Sequence, residues 1–76
     1  MRYRLDGEFR ALMEKEGTLY AAEGGVEVAA GAGRPERGTG ILLRMGERAQ
    51  FQTAQTLYAR SAGASAVLNV QDVKLL

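Results

Sequence analysis

The 76-residue chain has no cysteine, no histidine and no tryptophan, and only one proline. Without cysteine, no disulfide can staple so short a fold. Without cysteine or histidine, the usual zinc, iron and copper ligand sets are excluded. A serine nucleophile would have to rely on lysine or a carboxylate as its base. Neither sign of charge prevails. Ten basic and nine acidic residues leave a net charge of +1, which is not the footprint of a nucleic-acid binder. The apolar runs fall far short of the roughly 18 residues a membrane-spanning helix needs. The opening Met1-Arg2-Tyr3-Arg4 lacks an apolar stretch of signal-peptide length. These absences predict a single soluble domain over residues 1–76, with no metal, no cofactor, and neither nucleic acid nor membrane as partner. A chain this short buries only about 60% of its unfolded surface. Packing against other chains is therefore expected to supply part of its stability.

What the chain does have is glycine and a repeat. Ten glycines fall at the ends of short apolar runs, the punctuation of a small all-β fold. Thr18-Leu19-Tyr20-Ala21 returns as Thr56-Leu57-Tyr58-Ala59, an offset of 38 residues. Each copy follows a Gly-Glu pair, Gly7-Glu8 or Gly46-Glu47, and precedes a glycine turn and a valine-containing run. The chain thus divides into halves of about residues 5–30 and 43–70, joined by a loop over 31–40 that holds the only proline. Alternating polar and apolar residues predict strands over 2–5, 18–22, 26–30, 41–44, 49–53, 56–60 and 66–73. Asp6-Gly7 is a two-residue hairpin signal. Residues 8–16 fit a helix, with Phe9, Leu12 and Met13 at helical spacing, and also fit a strand through Phe9, Ala11 and Met13. The repeat favours the strand. The expected fold is all-β, a small antiparallel sandwich or jelly-roll-like domain of about seven short strands with an internal two-fold repeat. Its expected core is Leu5, Phe9, Leu19, Val26, Val28, Ile41, Leu43, Phe51, Leu57, Leu68 and Val70.

Catalytic motifs are not legible. Ser61 and Ser65 read as turn residues, without a lysine or carboxylate close in sequence. Gly31-Ala32-Gly33 and Gly38-Thr39-Gly40 are followed by Ile41-Leu42-Leu43, not by the Lys-Ser/Thr and helix start of a phosphate loop. The expectation is a non-enzymatic protein. Two clusters stand out as subunit contacts. Arg34-Pro35-Glu36-Arg37 forms the charged tip of the long loop, where arginines can fork onto a partner's carboxylates. Tyr20, Tyr58 and Arg60 belong to residue types that carry interface energy. The blander readings are a solvated loop tip and half-buried sheet residues.

The run from Gly17 to Val70 also resembles a family. It holds Thr-Leu-Tyr-Ala, Val-Glu-Val-Ala, Arg-Pro-Glu-Arg-Gly-Thr-Gly-Ile-Leu-Leu and Met-Gly-Glu-Arg-Ala-Gln-Phe. It closes with Leu-Tyr-Ala-Arg-Ser-Ala-Gly-Ala-Ser-Ala-Val-Leu-Asn-Val. This pattern is similar to the small β-rich structural proteins of tailed bacteriophages, whether head decoration, head fibre or tail-associated. The resemblance implies a virion component, assembled in the host bacterial cytoplasm. Its implied role is a capsid decoration or cement protein that binds and bridges major capsid protein subunits. It also implies a homo-oligomer, with a trimer favoured by analogy. The alternative within the same resemblance is a tail-fibre, baseplate or head-fibre module that binds a receptor or carbohydrate. Residues 1–16 match the pattern least.

Overall fold

A computed structural model describes residues 1–71. The strands are β1 (Arg2–Leu5), β2 (Arg10–Ala11), β3 (Glu16–Glu23), β4 (Val26–Gly31), β5 (Ile41–Leu43), β6 (Arg48–Gln52), β7 (Thr56–Ser61) and β8 (Ala66–Gln71). There are eight described strands, not about seven, and all pair antiparallel in two four-stranded sheets. One sheet runs β1-β8-β3-β6 and the other β2-β7-β4-β5. The expected extension of the last strand to residue 73, and the apolar ending Lys74-Leu75-Leu76, lie outside the described residues.

The strand order has an internal regularity. Adding four to each strand number, and counting round from eight to one, turns β1-β8-β3-β6 into β5-β4-β7-β2, the second sheet read backwards. The two Thr-Leu-Tyr-Ala copies therefore occupy equivalent places. β3 lies between β8 and β6, and β7 lies between β4 and β2. In both, leucine and alanine point inward, with Leu19 and Leu57 buried and Ala21 and Ala59 fully so. The period of two along each strand dictates this, because every second side chain faces the other sheet. The core lies between the sheets, with Leu5, Leu19, Leu68 and Val70 from one meeting Val26, Val28, Leu43 and Leu57 from the other.

Consecutive strands mostly change sheets, and this overturns one expectation. Asp6-Gly7 does not close a hairpin, because β1 pairs with β8 while β2 pairs with β7 across the sandwich. Gly7 is not among the positive-φ glycines, which a type I′ turn would require. The chain instead crosses over, and the Asp6 carbonyl accepts the Ser61 N–H at 2.6 Å. Ser61, expected in a turn, is the buried last residue of β7. A second crossing, at Gly24, has φ +71° and passes so close to the Ser65 carbonyl that a side chain there would collide with it. Residues 8–16 form no helix; they contribute β2 and the start of β3 around a connection that bends at residues 13 and 15. The core differs from expectation at its margins. Ile41 is 72% exposed, Phe51 is half-buried, and Leu12 and Val67 are buried instead.

Candidate functional site

The outer face of the β2-β7-β4-β5 sheet carries an ion pair that is itself covered. Glu27 alternates outward from Val26 and Val28, yet only 5% of it is exposed. Its partner across the strands is Arg60, its register neighbour on β7. The Arg60 Nε and Nη2 groups donate to Glu27 Oε1 at 2.7 and 2.6 Å. The other oxygen, Oε2, accepts the Gly40 N–H at 2.9 Å. Gly40 can sit there because it has no Cβ, which would fall on the Val28 carbonyl. The backbone N–H of Gly40 holds the Glu27 carboxyl below the ordinary carboxylate range. The Gly38 backbone and Arg60 add to this, and together they outweigh the opposing effect of burial. Phe9 closes the pair from the other side, with the Arg60 guanidinium 5.6 Å from its ring centre. Among the described residues, no buried side-chain nitrogen or oxygen lacks a partner.

Loop 32–40 is thus anchored at its base by Glu27. At its tip, Arg37 donates to Glu8 at 3.2 Å and Arg34 lies 3.9 Å from the same carboxylate. All three side chains are largely exposed, so these pairs orient the tip without adding much stability. Beside them lies an open hollow of about 500 Å³ bordered by Asp6, Glu8, Phe9, Arg10, Arg34 and Tyr58.

A larger groove, about 640 Å³, opens between the edge strands β5 and β6. It reaches the core residues Leu19, Val28 and Leu57, and Ala49, Phe51 and Pro35 border it. Beside it, Ile41, Leu42 and Met45 are 72%, 53% and 67% exposed. The repeat explains why this edge is open. At the equivalent edge, between β1 and β2, Leu12 donates its N–H to the Leu57 carbonyl at 2.8 Å and buries its side chain in the core. At the β5–β6 edge the residue opposite Leu19 is Ala49. A leucine fills one edge and, among the described residues, an alanine leaves the other unfilled.

The sequence-selected residues are thus divided among three places. Arg34, Pro35, Glu36 and Arg37 share the loop tip, with Arg34 on the hollow and Pro35 on the groove. Tyr58 and Arg60 lie on the outer face of one sheet. Tyr20 lies on the outer face of the other, with the Arg48 guanidinium 5.4 Å from its ring centre. Tyr20 and Tyr58 are equivalent in the repeat but do not form one site. Sequence reading missed the groove and the role of Glu27. The signal for the first was the contrast between Leu12 and Ala49 in the two halves. The second had none, since Glu27 and Arg60 are 33 residues apart. No family model matches the chain, and neither a curated protein nor a solved structure does.

Proposed function

We propose that the chain is a non-enzymatic structural piece that works by docking, and that the open β5–β6 edge is its docking surface. The observation that carries this reading is the apolar groove beside exposed Ile41, Leu42 and Met45. Apolar surface of this kind on a small domain marks a contact site. Each such side chain gains roughly 1.5–3 kcal/mol when fully covered. A partner that binds only the folded state also stabilises a small core by mass action.

We read the sandwich as a jelly roll. Its support is the order 1-8-3-6 facing 2-7-4-5, an eight-stranded double-sheet arrangement of the kind used by viral capsid and lectin domains. With the sequence resemblance, this favours a bacteriophage virion protein, a capsid decoration protein that bridges major capsid subunits. In this reading Arg34, Glu36 and Arg37 at the loop tip make the polar rim of the contact. The hollow beside Tyr58 supports a second reading, a tail-associated module that binds a receptor or carbohydrate, since Tyr58 there stands next to charged hydrogen-bonding groups.

Sedimentation velocity of the purified chain over a concentration series tests docking. Self-association with a concentration-dependent melting midpoint is expected. A thermally robust monomer at every concentration would count against it. Gel densitometry of purified particles separates the two locations, because decoration requires many copies per particle and a tail attachment only a few.

A further inference from the structure

We infer, resting on the reading that places a carbohydrate in the hollow beside Tyr58, that the sugar is an uncharged pyranose stacked on the tyrosine ring.

Tyr20 and Tyr58 are equivalent in the repeat, yet their neighbours differ. Tyr20 on β3 has Arg48 across from it on β6 and Asn69 on β8. The Arg48 guanidinium, 5.4 Å from the ring centre, takes one face of that tyrosine. Tyr58 on β7 has Ala11 across from it on β2 and Ala29 on β4. Alanine stops at Cβ, so neither neighbour reaches over the ring. Among the described residues, no cation lies over Tyr58; Arg60 lies against Phe9 instead. The half-buried Tyr58 and the exposed Ala11 both border the hollow. One half of the repeat covers its tyrosine from within, and the other leaves the ring beside open space.

The rim decides the class of ligand. Asp6 and Glu8 on it are matched in number by Arg10 and Arg34. Arg37, bonded to Glu8 at 3.2 Å, adds a single exposed charge, and solvent and salt screen it. Charge alone therefore selects neither an anion nor a cation. A carboxylate or phosphate would meet Asp6 and Glu8, and an ammonium would meet Arg10 and Arg34. The rim does set guanidinium donors beside carboxylate acceptors. A sugar hydroxyl donates and accepts at once, so it uses both, while the C–H face of a pyranose is apolar and suits an aromatic ring. The rim is also ordered before any ligand arrives, which lowers the cost of binding. The Glu8 N–H donates to Asp6 Oδ1 at 3.0 Å, and Arg34 stands 3.9 Å from the Glu8 carboxylate. The hollow, about 500 Å³, falls within the roughly 300–1,000 Å³ of small-molecule sites.

An open hollow covers a sugar on one side only, so the complex is weak and NMR is the suitable measurement. The methyl pyranosides of glucose, galactose and mannose, then N-acetylneuraminic acid and glucosamine, are titrated singly into isotope-labelled protein. At least one neutral pyranoside is expected to shift the amides of Arg10, Ala11, Arg34 and Tyr58 saturably. Tyr58→Ala should weaken that binding about tenfold, and Tyr20→Ala should leave it unchanged. Ala11→Arg should remove it, by giving Tyr58 the kind of cation that Arg48 gives Tyr20. Ala11 is exposed, so this variant keeps its melting midpoint and carries the test even where Tyr58→Ala does not fold. Neutral-sugar shifts that persist in Ala11→Arg would overturn the inference. If only N-acetylneuraminic acid or glucosamine shifts these amides, the hollow remains a carbohydrate site and the uncharged ligand falls. If none of these sugars does, the carbohydrate reading falls with it.

Discussion

The two edges of the sandwich are the same place in two halves of one repeat, and they have opposite fates. At the β1–β2 edge, Leu12 bonds to the Leu57 backbone and turns its side chain into the core, while the Tyr3 hydroxyl holds the chain beyond it. At the β5–β6 edge, Ala49 stands opposite Leu19, Phe51 is half-buried, and a groove remains. The strand order is common to both, so topology does not decide whether an edge is open. A few methylene groups do. The contrast teaches that a sandwich of this size can close one edge for its own stability while the equivalent edge keeps a groove.

The largest expected effect tests what holds the wall of the open edge. Glu27→Ala would leave the Arg60 guanidinium buried without its counter-charge and Gly40 without its acceptor. Breaking a buried pair in this way costs about 3–5 kcal/mol, read as a lowered denaturant midpoint. The same carboxylate predicts an acid response. Its folded pKa is depressed, so the unfolded chain takes up the proton first as pH falls. The contribution is fully present above the ordinary carboxylate range of about 4.3 and is lost as pH falls through the depressed folded value. Glu27→Gln should flatten that part of an acid titration of stability.

Leu12→Ala would convert the closed edge into a copy of the open one. Removing a buried leucine costs about 2–5 kcal/mol, and a thermal melt would show it. If the loss were negligible, the edges would not differ in the way described. The reverse exchange, Ala49→Leu, should raise stability by about 0.5–2 kcal/mol, as cavity filling commonly does, while reducing self-association in sedimentation. A gain in stability without that loss would separate filling from docking. The smallest effect is expected from Tyr3→Phe, which removes the clamp on residues 13 and 14 at a cost of about 0.5–1.5 kcal/mol. Burial pushes the Tyr3 phenol above its ordinary value, and Glu14 adds to this. The wild-type chain should therefore lose stability as pH rises beyond about 10, where the unfolded phenol ionises first. Tyr3→Phe should lose less over that range.

Much of the fold was legible because it depends on local alternation. Leu5, Leu19, Val26, Val28, Leu43, Leu57, Leu68 and Val70 were expected inside and are buried. The failures are non-local. Ile41 belongs to an apolar run, but β5 is an edge strand and nothing described covers its outer side. Asp6-Gly7 has hairpin chemistry, but the segment it starts is recruited by β7 in the other sheet. Leu12 was marked only by the helical spacing that the repeat argued against, and it sits in the connection between β2 and β3. Glu27 alternates with the inward Val26 and Val28 and so lies on an outward face. It is buried because Gly40, 13 residues further on, folds back over it with its loop, and strand alternation carries no information about that. The loop tip and Tyr58 were named as candidates, whereas the groove, built from Ala49 and Phe51, was not. A small residue announces an absence only when set beside its counterpart in the other half.

The anchoring of loop 32–40 has a practical side. Its base is fastened from below by one buried carboxylate through Gly40, while the tip is held by the exposed pairs of Arg34 and Arg37 with Glu8 and a local turn from Glu36 to Thr39. The apex between Pro35 and Glu36 could then be lengthened or exchanged for a foreign peptide with little disturbance of either sheet, as exposed loop tips generally permit. Multiplied over many copies in an assembly, such a graft would turn the domain into a display scaffold.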